Sequence, residues 1–146
     1  AFIDAYFKKF PGIRDYMEDT KAFAKKHGFV ETLFGRKIHT PGIQQKGPHR
    51  GFAERAAVNA PIQGSAADII RRAMIRLPSH MASTGRVNKK LLQVHDELLF
   101  EVEEDWVSEF AVDVRAYMES AAQPAVRLDV PVLVEQSSGK SWAAAH

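Results

Sequence analysis

The pattern of hydrophobic and polar residues at the start of the chain predicts two helices and a hairpin. In residues 12–26 the apolar side chains recur at three- and four-residue steps, as on one face of a helix. Pro11-Gly12 predicts a break between this helix and a shorter one over residues 2–10, and Gly28 predicts where it ends. Two strand-like runs around Gly35-Arg36 then predict a hairpin, residues 29–34 and 37–40.

The middle of the chain predicts two helices separated by a proline, and then a second hairpin. The first helix is expected over residues 52–59. Pro61 suits the first turn of a longer amphipathic helix, where the missing N–H of proline costs least. Residues 91–102 are apolar on both sides of His95-Asp96-Glu97, which predicts a strand, a tight turn and a strand.

The C-terminal part predicts one more helix and one more strand. Asp105 is expected to cap a helix that runs to about Ala122, and residues 130–135 are expected to form the last strand. Because helices and strands follow each other without a repeated strand–helix–strand order, the predicted fold class is α+β. In this fold a small antiparallel sheet packs with helices.

Composition narrows the class of protein. The chain has 146 residues, of which 45% are hydrophobic and 26% charged, as in one globular domain and unlike a disordered chain. The absence of cysteine excludes disulfides, cysteine-based zinc sites and thiol catalysis. No apolar run has the roughly 18 residues of a membrane span, so we expect a cytoplasmic protein.

The net charge of +2 hides an uneven distribution along the chain. Residues 1–90 carry seventeen Lys/Arg against seven Asp/Glu, whereas residues 91–146 carry three against eleven. A basic stretch followed by an acidic one fits a polyanion bound by the first and metal ions bound by the second. The alternative is surface charge that is simply distributed unevenly.

The tip of the second predicted hairpin has unfavourable turn residues. A two-residue hairpin turn favours Asn-Gly or Asp-Gly, because both positions need a positive φ. His95, Asp96 and Glu97 therefore indicate that the tip is retained for a function. Adjacent carboxylates supply the hard oxygen ligands that Mg²⁺ or Mn²⁺ takes. The sequence predicts a metal site here, with an exposed polar turn as the alternative.

A second candidate site is the spacing of Arg55, Asn59 and Gln63. Steps of four residues place the three side chains on one helical face, and all three donate hydrogen bonds. Every base pair presents acceptors in the minor groove, so donors there recognise a duplex without reading its sequence. The small residues from Gly64 onward would allow a close backbone approach. The alternative is a helix N-terminus with solvated polar neighbours.

The remaining basic residues are less specific. The loop from Arg36-Lys37 to Arg50 combines basic residues with glycines, which suits contacts to phosphates. Charged loops are common, so the alternative is ordinary surface charge. Three arginines are expected on a solvated helix face, Arg71, Arg72 and Arg76.

Taken together, these residues resemble the family A DNA-dependent DNA polymerases, and the likeness covers nearly the whole chain. Three stretches carry most of it: Val30-Glu31-Thr32-Leu33-Phe34-Gly35-Arg36, the run from Phe52-Ala53-Glu54-Arg55 through Asn59-Ala60-Pro61-Ile62-Gln63-Gly64-Ser65 to Ile70, and Gln93-Val94-His95-Asp96-Glu97-Leu98. The resemblance implies that residues 1–45 are the C-terminal end of the fingers subdomain and residues 46–146 the C-terminal part of the palm.

The resemblance also implies an activity and its cofactor. The expected reaction is template-directed transfer of a nucleotide from a dNTP to a primer 3′-hydroxyl, by a two-metal mechanism with two Mg²⁺ ions, in DNA replication and repair. Asp96 is similar to a catalytic aspartate that bridges the metals. Glu97 resembles an accessory metal-ligating carboxylate, and His95 resembles a catalytic residue that also contacts DNA beside the primer end.

The implied DNA contacts lie earlier in the chain. Arg55, Asn59 and Gln63 match the family's minor-groove readers, and Arg50 matches a contact to a template phosphate. The implied partners are primer-template DNA, dNTP and the remainder of a polymerase chain, with no membrane. The implied location is the bacterial cytoplasm, in association with the nucleoid.

Two motifs of the family are missing from the sequence. Neither the first catalytic aspartate motif of the palm nor the nucleotide-binding helix of the fingers is present. We therefore expect a fragment of a longer enzyme that is inactive alone. Two alternatives are a non-catalytic module that binds the DNA minor groove, and a metal-dependent nuclease that uses Asp96 and Glu97.

Overall fold

A computed structural model describes residues 2–145, and Ala1 and His146 lie outside the described residues. Its helices and strands follow in the order α1 (Phe2–Lys9), α2 (Pro11–His27), β1 (Phe29–Glu31), β2 (Lys37–His39), α3 (Pro48–Ser83), β3 (Asn88–Val94), β4 (Glu97–Val102), a 3₁₀ turn (Glu104–Trp106), α4 (Val107–Glu119) and α5 (Trp142–Ala145). The chain divides into two compact units, residues 1–66 and 67–146, and the boundary falls within α3. The predicted α+β class is confirmed, with two small antiparallel sheets of two strands each.

The first unit contains the predicted N-terminal helices and hairpin. α1 and α2 separate at Phe10, and Gly28 ends α2 at a φ of 77°, with its N–H donating to the Ala24 carbonyl over 2.8 Å. A left-handed residue after the last helical turn is the position that glycine favours. β1 and β2 pair antiparallel, and the buried core joins this hairpin to the helices through Ala24, Val30, Ile43, Ala53 and Ala57.

α3 corrects the prediction of separate helices before and after Pro61. It is one helix of 36 residues that begins at Pro48 rather than Phe52 and runs through Pro61. A proline inside a helix removes one backbone hydrogen bond, here the one to the Ala57 carbonyl, and costs about 3 kcal/mol. Burial of Ala57 in the first core offsets part of this cost, and tertiary packing of this kind overrides local propensity.

The second unit is built around Leu77, Trp106, Phe110 and Val114, which are all buried. The hairpin of β3 and β4 has the predicted strand–turn–strand order, with an irregularity between Lys90 and Leu92. No helix of the described residues is long and apolar enough to cross a membrane.

The predicted helix cap at Asp105 is wrong. Asp105 lies within the 3₁₀ turn, and α4 begins at Val107 without a side-chain cap. The Asp105 carboxylate instead accepts a hydrogen bond from Arg86 Nη1 over 3.3 Å. Arg86, 19 residues earlier in the sequence, therefore binds the Asp105 carboxylate that was expected to accept a hydrogen bond from the start of α4.

The predicted strand over residues 130–135 is also wrong. Residues 131–139 have no regular secondary structure and no ladder partner among the described residues. Val130 and Leu133 are 73% and 80% exposed, and the Val134 N–H donates to Glu119 Oε1 over 3.2 Å. Pro131 lacks a donor, and the Val134 donor is taken by a side chain, so neither residue offers a backbone N–H to a sheet.

Two of the three arginines expected on a solvated face have structural partners. Arg72 Nε donates to the Ala121 carbonyl over 2.9 Å, and Arg76 donates to the carbonyls of Ser120 and Gln123. These carbonyls lie just after α4, where basic groups interact favourably with unpaired acceptors. Only Arg71 has the exposed position that the sequence predicts.

Candidate functional site

The second hairpin presents its three candidate residues at one exposed tip. β3 and β4 pair up to Val94 and Glu97, so His95 and Asp96 form a two-residue turn. His95 has a φ of 52°, and it is the one non-glycine residue with positive φ in residues 2–145. Because only the first turn position has positive φ, this is not the type I′ turn that Asn-Gly would form. The side chain of Gln93 donates to the His95 carbonyl over 2.9 Å and holds the turn from one side.

The turn is strained and solvent-facing, and its chemistry suits a cation. A non-glycine residue in the left-handed region costs roughly 1–2 kcal/mol, and such strain persists mainly at functional positions. Asp96 and Glu97 are both exposed and supply hard oxygen donors of the type that Mg²⁺ takes, one or two per ion. Within residues 2–145, no group of three or more His, Asp or Glu side chains is placed to hold a metal. The donor chemistry of these two carboxylates therefore fits a divalent ion.

The second candidate group lies on the first unit's part of α3. Arg55, Asn59 and Gln63 are all exposed. Because α3 is continuous, steps of four residues place them on one face with about 6 Å of rise between neighbours. The face therefore presents three hydrogen-bond donors in a row to solvent.

Arg50 lies in the first turn of the same helix and pairs with an acidic neighbour. Its Nε donates to Glu54 Oε1 over 3.0 Å, and Lys25 Nζ lies 2.7 Å from the same oxygen. The hydrogen bonds from Lys25 and Arg50 lower the pKa of Glu54 to about 2. One carboxylate thus partly neutralises two basic groups at the start of α3, while half of the Arg50 side chain remains exposed.

At Gly64 the predicted close approach of a backbone is replaced by close contact with side chains of the first hairpin. Gly64 is buried, and a Cβ on it would lie 2.7 Å from Thr32 Cγ2 and 2.8 Å from Ile38 Cδ1. The sequence assigned no role to Tyr16, counted Ser65 only among the small residues and placed Arg36 in a phosphate-contacting loop. In the structure, Tyr16 and Arg36 donate to backbone carbonyls of this part of α3, and Ser65 accepts a hydrogen bond from the first hairpin. The available signal was the Gly-Ser pair inside a helix, where both residues have lower helix propensity than alanine.

The structure brings the candidates together in two groups. His95, Asp96 and Glu97 meet at the hairpin tip of the second unit, whereas Arg55, Asn59 and Gln63 share a helix face in the first unit, with Arg50 near the start of the same helix.

Comparison with known proteins adds the family. The model of DNA polymerase family A matches residues 1–144. The chain belongs to the family A DNA polymerases. It is 49% identical over 148 residues to the DNA polymerase I of Rhizobium leguminosarum, covering 99% of this chain and 15% of that protein. It is 48% identical to the DNA polymerase I of Pseudomonas aeruginosa, covering 100% of this chain and 16% of that protein.

A solved structure has the same fold. The POL domain of Pol1 from M. smegmatis, in complex with DNA primer-template and dNTP, matches with a TM-score of 0.88 and 45% sequence identity. The match covers 98% of this chain and 25% of that one. The chain spans about 15% of the length of the curated relatives that it matches.

Proposed function

We propose that this chain takes part in template-directed DNA synthesis, as part of a longer family A polymerase. The reaction transfers a nucleotide from a dNTP to a primer 3′-hydroxyl, in DNA replication and repair. The observation that carries the proposal is the strained, exposed turn with Asp96 and Glu97 in a chain that belongs to this family. The M. smegmatis relative, described in complex with DNA primer-template and dNTP, supports the same partners.

Asp96 and Glu97 are the residues that would hold Mg²⁺. Their carboxylates have the right donor chemistry, and they would supply part of the ligands of two ions in the complete enzyme. Bound Mg²⁺ would lower the pKa of the attacking primer hydroxyl and stabilise negative charge at the phosphate. The hydrogen bond from Gln93 to the His95 carbonyl holds the backbone of the turn that carries both carboxylates, which limits the reorganisation needed when the site is completed.

His95 would contact the primer end. His95 directly precedes Asp96 in the turn, and an imidazole ring can donate hydrogen bonds to a sugar or phosphate oxygen. We assign it to orienting the terminal nucleotide, so that the primer hydroxyl stays near Asp96.

Arg55, Asn59 and Gln63 would lie along the minor groove of the primer-template duplex. Purine N3 and pyrimidine O2 are acceptors in every base pair, and the three donors lie on one exposed face. This contact recognises a correctly shaped pair without reading its identity. It suits an enzyme that must bind every sequence that it copies.

Arg50 would contact a template phosphate near the start of α3. Its ion pair with Glu54 leaves about half of the side chain exposed. Phosphate contacts of this type position a protein on DNA and contribute to the salt dependence of binding. We further assign residues 1–45 to the fingers and 46–146 to the palm, in an enzyme located with the bacterial nucleoid.

The test compares extension, binding and cleavage by the polymerase that carries this segment and by its Asp96→Asn variant. The proposal predicts that the unmodified enzyme extends a primer with the complementary dNTP only. It also predicts that Asp96→Asn slows extension at least 10²–10³-fold while DNA binding persists. Asp113→Asn, on α4, is the matched control and should extend normally. Loss of DNA cleavage with unchanged extension would favour the nuclease. Normal extension together with unchanged DNA cleavage by the variant would leave only the minor-groove binding module.

A further inference from the structure

The first hairpin packs against α3 at Gly64, the residue next to Gln63. Gly64 follows Gln63, and its missing side chain lets Thr32 and Ile38 approach to within 2.8 Å of where a Cβ would stand. Arg36 Nη2 donates to the Gly64 carbonyl over 3.1 Å. The hairpin therefore contacts both the backbone and the vacant side-chain position of the residue next to Gln63.

Ser65 makes a second link between the hairpin and α3. Its Oγ accepts a hydrogen bond from the Leu33 N–H over 2.9 Å and donates one to the Pro61 carbonyl over 2.6 Å. Ser65 is 5% exposed, so both bonds lie in a region with little water. One hydroxyl thus joins the loop of the hairpin to the helical turn that contains Gln63.

α2 holds the preceding turn of the helix. The Tyr16 hydroxyl donates to the Val58 carbonyl over 2.8 Å. Pro61 lies between Asn59 and Gln63 and has no N–H. The helix therefore lacks the hydrogen bond that residue 61 would donate to the Ala57 carbonyl. Bonds from outside the helix, through Tyr16 on one side and Ser65 on the other, flank this weakened turn.

We infer that Tyr16 and Ser65, together with the Arg36–Gly64 contact, are positioning residues for Asn59 and Gln63. The inference rests on the proposed minor-groove role of that face. A hydrogen bond weakens steeply when its heavy-atom distance grows from 2.9 to 3.6 Å. A helical turn that lacks one internal bond therefore needs external restraint if its side chains are to reach acceptors at a fixed depth in the groove.

The experiment removes either the minor-groove acceptor of the primer's terminal base or the hydrogen bonds that restrain α3 near Gln63. The complete polymerase extends two primers whose terminal base is a purine or its 3-deaza analogue, in which a C–H replaces the minor-groove N3 acceptor. The measured quantity is the ratio of kcat/KM on the two primers. A single hydrogen bond predicts a ratio of about 2- to 13-fold for the unmodified enzyme, and a ratio near one for Gln63→Ala.

Variants of Ser65 and Tyr16 leave Asn59 and Gln63 in place, and we expect them to lower this ratio of kcat/KM. Ser65→Ala should bring it at least halfway to one on a logarithmic scale, and Ser65→Thr, which keeps the hydroxyl, should restore it. Tyr16→Phe removes only a hydroxyl and should act in the same direction, which keeps the test valid if Ser65→Ala folds poorly. Ser83→Ala is the matched control, since Ser83 Oγ bonds the His80 carbonyl on the same helix.

The outcomes distinguish a failure of the positioning role from a failure of the minor-groove role on which it rests. If Ser65→Ala and Tyr16→Phe lower the melting temperature but keep the ratio of the unmodified enzyme, the two residues are merely structural and the positioning inference is overturned. If Gln63→Ala itself keeps that ratio, the minor-groove role is wrong, and the inference that rests on it fails as well. A lowered ratio in both positioning variants, with a normal ratio in Ser83→Ala, supports the inference.

Discussion

Arg50 and Glu54 form an ion pair across one turn of α3, with Arg50 Nε 3.0 Å from Glu54 Oε1. Lys25 Nζ reaches the same oxygen from α2 over 2.7 Å. The carboxylate therefore links two helices of the first unit and orients an arginine that we assign to the template strand.

The first prediction concerns the pH dependence of this link. Hydrogen bonds from Lys25 and Arg50 lower the pKa of Glu54 from 4.5 to about 2. A depressed carboxyl pKa contributes stability that is present above about pH 4.5 and is lost as the pH falls towards 2. The thermal midpoint of the chain should exceed that of Glu54→Gln at pH 5, and the two should converge by pH 2. A constant difference across this range would contradict the ion pair.

The second prediction concerns Arg50 and salt. A phosphate contact releases about one counterion, so Arg50→Ala should reduce the slope of log affinity against log salt by about 0.9. Fluorescence anisotropy of primer-template DNA, measured with the complete polymerase at several salt concentrations, gives this slope. Arg115→Ala, exposed on α4, serves as the control and should leave it unchanged. An unchanged slope in Arg50→Ala would remove Arg50 from the DNA contacts.

The third prediction concerns the backbone at His95. Glycine adopts a φ of 52° without steric cost, so His95→Gly should stabilise the hairpin by up to about 1 kcal/mol, the left-handed penalty less the entropy that glycine loses. The same variant should slow primer extension, because the imidazole is lost and the carboxylates are less fixed. Lys89→Gly, within β3, should instead lower the free energy of unfolding. A His95→Gly variant that is less stable would argue against strain at the turn.

The fourth prediction separates groove contacts from phosphate contacts. A mispaired terminus displaces the minor-groove acceptors, so Gln63→Ala should narrow the difference in extension rate between matched and mismatched primers. It should weaken extension equally on A·T-rich and G·C-rich primers. Arg55→Ala should cost more, because hydrogen bonds from charged groups contribute up to about 3 kcal/mol. If Gln63→Ala alters only the salt slope, as expected for Arg50→Ala, the groove assignment is wrong.

The elements that could be predicted from the sequence are those with strong local signals. Pro11 and Gly28 mark the ends of helices because their backbone preferences act within one or two residues. A turn over His95-Asp96-Glu97 could be predicted because apolar, strand-like residues flank these polar ones on both sides. The structure narrows the turn to His95 and Asp96, since Glu97 pairs with Val94. The same contrast drew attention to Asp96 and Glu97 as a site.

The errors lie where distant parts of the chain decide the local structure. α3 passes through Pro61 because its neighbours are packed and bonded from outside, which no local pattern reports. Asp105 pairs with Arg86 instead of capping a helix, and Arg72 bonds the end of α4. The restraint of α3 by Tyr16 and Ser65 was missed for the same reason, since each contact joins residues that are far apart in sequence.

The most direct test of the central claim is the single-turnover rate of primer extension by the Asp96→Asn polymerase at saturating Mg²⁺ and dNTP. The account predicts a rate at least 10²–10³-fold below that of the unmodified enzyme, as expected when one electrostatic contribution to the transition state is lost. The Kd for primer-template DNA should change little, and Asp105→Asn, which also lies on an exposed turn of the second unit, should keep the normal rate. A normal rate in Asp96→Asn would contradict the assignment of this turn to catalysis.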